Sequence, residues 1–81
     1  MIQIAKQDVV DAIERINRRI PQVSETNKRL FKGDYTPQYG GWLIYYYNEN
    51  GRATAPLGQH RVSHKEADRF FDGIEFSLNK F

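Results

Sequence analysis

The side chains that most often carry catalysis are few in this chain and poorly spaced. The chain has two histidines, His60 and His64, and three serines. A serine nucleophile needs a histidine that a carboxylate orients, but Ser63 is placed to cap a helix and His64 then falls in the exposed first turn. His60 lies before that cap, so the two histidines share no helix face, and no carboxylate pair completes a metal site. We therefore predict no enzyme activity, no metal site and no cofactor.

An aromatic stretch from Trp42 to Tyr47 is the most distinctive chemical feature. Alternate residues of a strand share a face, which separates two of its tyrosines from the tryptophan. The residues predicted to line a partner-binding surface are Leu43, Tyr45, Tyr47, Arg52 and Thr54. An apolar surface of this kind binds a protein partner or a second copy of the chain. If no helix covers it, the rings also offer a stacking platform for unpaired bases. The remaining alternative is that residues 22–40 bury it.

A basic segment precedes the aromatic stretch. Between Arg15 and Lys32 there are six basic residues and one acid, in a chain of formal net charge +2. Such a segment attracts nucleic acid or acidic protein, or is a solvated face. The residues predicted for nucleic-acid contacts are Arg18, Arg19, Lys28, Arg29 and Lys32. No helix-turn-helix spacing, zinc finger or ribonucleoprotein motif accompanies them. A protein partner or self-association is therefore the first prediction, and nucleic acid is the second.

Length and composition limit the class of protein. The chain of 81 residues is predicted to be a single domain over residues 1–81. It has no cysteine, so neither disulfides nor thiolate metal sites stabilise it. No apolar run approaches the ~20 residues that a membrane span needs, and no signal peptide is recognisable at the start. We predict a cytoplasmic protein without a membrane partner.

Two helices flank the aromatic stretch. Apolar residues spaced three and four apart predict a helix from Lys6 to Arg19 and another from His64 to Asn79. Ser63 and Glu66 form a capping box at the start of the second helix. Gly73 interrupts that helix at a cost of about 1 kcal/mol relative to alanine, which predicts either a close neighbour or a bend.

A β-hairpin is predicted between the helices. Asn50-Gly51 is a strong signal for a two-residue loop, which would pair Tyr47 with Thr54 and Tyr46 with Ala55. The second arm would extend to Leu57 as an edge strand, since Pro56 lacks a backbone donor. Gly33-Asp34 reads as a turn.

The fold class that follows is α+β. We predict a small antiparallel sheet centred on the hairpin, in the order α-β-β-α, with both helices on its Trp42/Ile44/Tyr46 face. Because a two-stranded sheet is marginal in water, a third strand is expected, either from Met1–Ile4 or from the region of Leu30 and Phe31.

The second half of the chain carries a recognisable pattern. Its parts are Gly40-Gly41-Trp42, a tyrosine-rich strand, Asn50-Gly51, Arg61-Val62-Ser63-His64-Lys65-Glu66 and Asp72-Gly73. In these parts the chain resembles short proteins of unassigned function encoded by gut bacteria and by their phages or mobile elements. The resemblance implies no activity, and no site residue follows from it.

Overall fold

Two helices pack on one side of a three-stranded antiparallel sheet. The computed structural model describes residues 5–79, without the side chains of Tyr39 and Asn79. The elements in chain order are helix α1 (Lys6–Arg19), strand β1 (Leu30–Thr36), a 3-10 turn (Pro37–Tyr39), strand β2 (Gly41–Tyr47), strand β3 (Ala53–Thr54) and helix α2 (His64–Asn79). The predicted α+β class is confirmed, as are the bounds of both helices. The alternative third strand, Met1–Ile4, lies outside the described residues.

The main pairing of the sheet joins β1 to β2. All of β1 lies opposite β2, from Leu30 opposite Tyr47 to Thr36 opposite Gly41. β1 is the expected third strand, and it comes from the region of Leu30. The order is therefore α-β-β-β-α rather than α-β-β-α. Gly33-Asp34, predicted as a turn, lies inside this strand, and the reversal of the chain comes only at residues 37–40.

The predicted pairing between β2 and β3 is wrong by one residue. Tyr46 lies opposite Thr54, and Tyr47 lies opposite Ala53. Because side chains alternate between the two faces, a shift of one residue moves each β3 side chain to the other face. β3 is also short: Pro56 lies in the turn that follows it rather than in an edge strand.

Asn48 causes this shift. Its N–H donates to the Arg52 carbonyl at 2.9 Å, so the loop between the strands has three residues rather than two. The Asn48 side-chain oxygen accepts the amides of Asn50 and Arg52 at 2.9 and 3.0 Å. Gly51 closes the loop with φ at +78°, a left-handed conformation that glycine adopts without strain. A turn followed by a left-handed residue is a common three-residue hairpin loop.

The hydrophobic core lies between the helices and one face of the sheet. Trp42 and Ile44 of β2 are almost completely buried, and Phe71 of α2 is fully buried. The buried apolar residues are Val9, Ala12, Ile16, Phe31, Trp42, Ile44, Val62, Ala67 and Phe71. The prediction that both helices cover the Trp42/Ile44/Tyr46 face is thus confirmed. A hydrogen-bonded ion pair of 3.2 Å, Arg15 with Glu75, also joins the two helices.

The Trp42 ring lies directly against β1, where a glycine leaves room for it. A Cβ atom added at Gly33 would lie 2.8 Å from Cε3 and Cζ3 of Trp42 and 2.9 Å from Cδ1 of Ile13. The indole N–H of Trp42 donates to Nδ1 of His64 at 2.8 Å, and the Tyr35 ring stacks on that imidazole with centroids 5.0 Å apart. His64 is therefore half-buried against the core, which corrects the prediction that it is exposed.

The start of α2 is fixed both locally and to the sheet. The predicted N-cap is confirmed, since the Glu66 N–H donates to Ser63 Oγ at 3.1 Å. The return bond differs from that of a capping box, because the Ser63 hydroxyl donates to the Glu66 carboxylate, at 3.2 Å. Val62 exchanges two backbone hydrogen bonds with Trp42, of 2.8 and 2.9 Å. Further along α2, a Cβ atom at Gly73 would meet none of the described residues within 4 Å. A close neighbour therefore does not explain this glycine.

One side chain of α1 pairs with the edge of β1 as a neighbouring strand would. Asn17 donates from Nδ2 to the Phe31 carbonyl at 3.0 Å, and its Oδ1 accepts the Phe31 N–H at 2.8 Å. In an antiparallel ladder the backbone groups of successive residues point alternately toward and away from the partner strand. Gly33 and Tyr35 therefore also point away from β2. In the described part of the chain, their backbone groups have no hydrogen-bond partner.

Candidate binding surface

Alternate residues of β1 and β2 form a surface on the side of the sheet away from both helices. Leu43, Tyr45 and Tyr47 come from β2. Leu30 lies opposite Tyr47, and Lys32 lies opposite Tyr45. Because directly opposite residues of an antiparallel pair project to the same side, these five residues form one continuous surface, which we call the outer face.

The apolar side chains of the outer face are separate from the core. Leu30, Leu43, Tyr45 and Tyr47 do not belong to the core cluster, nor to the side chains that pack against it. All four are half-buried, whereas Lys32 is exposed. Within residues 5–79, Tyr45 makes no ring contact and its hydroxyl has no hydrogen-bond partner. The two tyrosines are thus only half-buried, and β1, which lies within residues 22–40, shelters them in part through Leu30 and Lys32.

Charges lie at the centre and at one end of the outer face. The Lys32 ammonium lies 5.4 Å from the centroid of the Tyr47 ring, a distance at which a cation is attracted to an aromatic face. At the end of the face, the Arg61 guanidinium lies 3.5 Å from the Asp34 carboxylate. Arg61 also donates to the Gly41 carbonyl at 3.1 Å. The acid at the end is thus paired within the chain, and Lys32 is the cation at the centre.

The structure brings together three of the five residues predicted for partner binding. Leu43, Tyr45 and Tyr47 lie side by side on the outer face. Thr54 does not join them, because it lies opposite Tyr46 and projects to the side of the helices. Arg52 lies opposite Asn48 at the loop, out of phase with the outer face. Both departures follow from the one-residue shift in register.

The predicted basic residues divide between the two sides of the sheet. Lys32 lies on the outer face. Arg18 and Arg19 are exposed at the end of α1, on the side of the helices, and Lys28 is exposed in the connection before β1. The tyrosine rings that could stack on bases therefore lie on the outer face of the sheet, whereas most of the basic residues predicted to contact phosphate do not.

Arg29 is committed to contacts within the fold. Its Nε donates to the Tyr46 hydroxyl at 3.1 Å and lies 3.7 Å from the Glu49 carboxylate. A second nitrogen donates to the Pro21 carbonyl at 3.3 Å. The hydrogen bond with Tyr46, assisted by Glu49, raises the pKa of Arg29 above its usual value. This side chain ties the connection before β1 to the end of β2.

Leu30 is the outer-face residue that sequence reasoning missed. The alternation along residues 30–35 indicates a strand, with Leu30, Lys32 and Asp34 on one face and Phe31 and Tyr35 on the other. Gly33 obscured that alternation, because a glycine followed by aspartate is typical of a turn. The glycine is required instead by the neighbouring tryptophan ring.

Metal binding and membrane insertion are two other functions that the described residues can be checked for. In the described part of the chain, no three His, Cys, Asp or Glu side chains are grouped to hold a metal ion. Neither α1 nor α2 is long and apolar enough to cross a membrane. Comparisons with protein-family models, with curated proteins and with solved structures find no match to this chain. The resemblance of its second half therefore stays a prediction.

Proposed function

We propose that this protein is a non-catalytic binding module that docks a protein partner through the outer face. The observation that supports this proposal is the cluster of four apolar or aromatic side chains that neither helix covers. Tyrosine is enriched among the residues that dominate binding energy at interfaces. A cytoplasmic location, in keeping with a chain that has no cysteine, is part of the proposal.

The charge on the outer face defines the chemistry of the partner. Lys32 is exposed and Asp34 is already paired with Arg61. A partner that presents an apolar surface with one carboxylate would cover the tyrosines and pair with Lys32. Two outer faces brought together would offer lysine to lysine, which favours a different protein over a second copy. Self-association through the outer face is therefore the alternative, which an adduct between two copies of the chain would reveal in the crosslinking experiment below.

Site-specific crosslinking tests the proposal in the native host. Tyr45 is replaced by p-benzoylphenylalanine, and the matched control carries the same group at Val23, which is 64% exposed in the connection between α1 and β1. We expect one discrete protein adduct from position 45 and none from position 23. Equal adducts from both positions, or none from position 45, would refute the outer face as the docking surface.

Affinity for the partner then identifies the residues that bind it. Tyr47→Ala should weaken binding by about tenfold or more, as expected for an interface hot spot. Arg18→Ala, on the side of the helices, should leave the affinity unchanged. Thermal unfolding of both variants should stay close to that of the native chain, because neither side chain belongs to the core.

Nucleic acid is the second candidate, and one observation favours it. The Lys32 ammonium above the Tyr47 ring places a phosphate-binding charge beside an aromatic surface. The test is anisotropy of a labelled single strand of mixed sequence at low and at physiological salt. Binding that falls steeply with salt, and that Tyr45→Ala abolishes, would replace the protein partner as the proposed function.

A further inference from the structure

We propose that the edge of β1 accepts one short extended strand from a partner protein, in antiparallel register, with an apolar side chain in the hollow between α1 and β1. This site is distinct from the outer face, since it uses the backbone of Gly33 and Tyr35 rather than the tyrosine rings. It therefore does not depend on the proposed function above.

The first support is the state of the β1 edge. Exposed strand edges pair readily with other chains, because they present a row of unpaired donors and acceptors. Asn17 already fills this edge at Phe31 through two hydrogen bonds. The next outward-facing residues, Gly33 and Tyr35, have no such partner in the described part of the chain. Together they offer two N–H groups and two carbonyls, spaced for one strand.

The second support is the hollow beside Gly33. It has a volume of about 270 Å³ and lies between the helix and the strand. Its apolar lining is formed by Val10, Ile13, Phe31 and Trp42, and Glu14, Lys32 and Gly33 complete it. The residue of an added strand that pairs with Gly33 would point to the same side as this hollow. The hollow has room for a leucine side chain at that position.

Charges on the edge select the order of residues in the partner. Lys32 and Asp34 flank Gly33 and project to the other side of the sheet. In an antiparallel partner, the residue before the apolar one lies opposite Asp34, and the residue after it lies opposite Lys32. Opposite charges across a strand pair are favourable and like charges are not. Lys32 therefore favours an acidic residue after the apolar one, and Asp34, already paired with Arg61, adds a weaker preference for a basic residue before it.

A second copy of the chain fits this edge poorly. A two-fold axis at Asp34 would pair Gly33 with Tyr35 of the copy, but it would set two Asp34 carboxylates directly opposite each other. A two-fold axis at Gly33 would pair Tyr35 with Phe31, whose backbone groups are already bonded to Asn17. The first register is opposed by repulsion between carboxylates, and the second by the lack of free backbone groups at Phe31. A segment from a different protein avoids both.

A short synthetic peptide tests the proposal with the intact protein. The probe is an end-capped peptide that reads Thr-Thr-Lys-Leu-Glu-Thr-Thr, followed by amide NMR shifts of the ¹⁵N-labelled chain. We expect saturable shifts centred on Gly33 and Tyr35. Methylation of the leucine amide nitrogen should weaken binding about tenfold, because it removes a backbone hydrogen bond and blocks close approach. Methylation of the lysine amide, which faces away in this register, should have little effect.

Charge exchange provides the independent control. Lys32→Glu should weaken binding of the peptide about threefold, in line with a single cross-strand charge pair. Replacing the peptide's glutamate by lysine should restore binding to that variant, whereas Lys28→Glu should bind the original peptide normally. The proposal is wrong if the peptide causes no shifts in β1, if both methylated peptides bind equally, or if the exchanged charges give no recovery.

Discussion

The same substitution at two glycines should change stability in opposite directions. Gly33→Ala places a Cβ atom 2.8 Å from two carbons of the Trp42 ring. That ring is rigid and only 2% exposed, so it cannot turn away into solvent. Overpacking of this kind costs about 1–3 kcal/mol. For a domain of this size, a loss of about 2 kcal/mol lowers Tm by roughly 10 °C.

Gly73→Ala is the matched control. A Cβ atom there would meet nothing within 4 Å among residues 5–79, and the residue lies in the interior of α2. Alanine should therefore stabilise the protein by about 0.5–1 kcal/mol, since it lowers the entropy that the helix loses on folding. The corresponding rise in Tm is roughly 5 °C.

Thermal and urea unfolding, followed by far-ultraviolet circular dichroism, measure both changes. Fluorescence of Trp42, the single tryptophan of the chain, reports whether the ring moves in Gly33→Ala. Near-native stability of Gly33→Ala, with unchanged emission, would show that the ring does not lie against β1. A loss of stability in Gly73→Ala would show instead that something contacts that helix position.

Two further predictions concern a partly buried polar contact and a carboxyl group. Asn17→Ala should lower the free energy of unfolding by about 2 kcal/mol, because it leaves the N–H and the carbonyl of Phe31 unpaired. The control in the same urea titration is Gln7→Ala, which removes an exposed hydrogen bond. Equal losses of stability in the two variants would contradict the role of Asn17. Asp68→Asn should stabilise the protein at neutral pH. Partial burial, then Asp72 and Asp8, raise the pKa of Asp68 above its ordinary value of 3.8. The folded state therefore binds more protons than the unfolded state above that pH, and ionisation of Asp68 costs stability as pH rises. The gain in Tm from Asp68→Asn should be present at neutral pH and disappear below about pH 3.8; a gain that is constant with pH would refute this explanation.

The helices could be predicted from the sequence because their signals are local. Apolar spacing and terminal residues determined α1, and Ser63 with Glu66 determined the start of α2. The grouping of Leu43, Tyr45 and Tyr47 was also predictable, since alternation along one strand needs no knowledge of neighbouring elements.

The remaining features depended on contacts between distant residues. Gly33 reads as a turn residue in isolation, and only the Trp42 ring explains why it lies inside β1. The loop of the hairpin follows from the Asn48 side chain, which competes with the two-residue turn that Asn50-Gly51 favours. The pairing of Asn17 with Phe31 spans 14 residues and has no local pattern at all.

The pairing of Asn17 with Phe31 also bears on how the protein behaves when it is concentrated. A fully open strand can template the stacking of many chains into fibrils. Here one amide side chain shortens the available edge to Gly33 and Tyr35, and the Asp34 carboxylate opposes pairing with an identical strand. Two residues leave a short edge for further copies to pair with, and short edges are one way in which native sheets avoid aggregation. Removal of the Asn17 amide would thus affect colloidal behaviour as well as folding, with aggregation during storage as its visible sign.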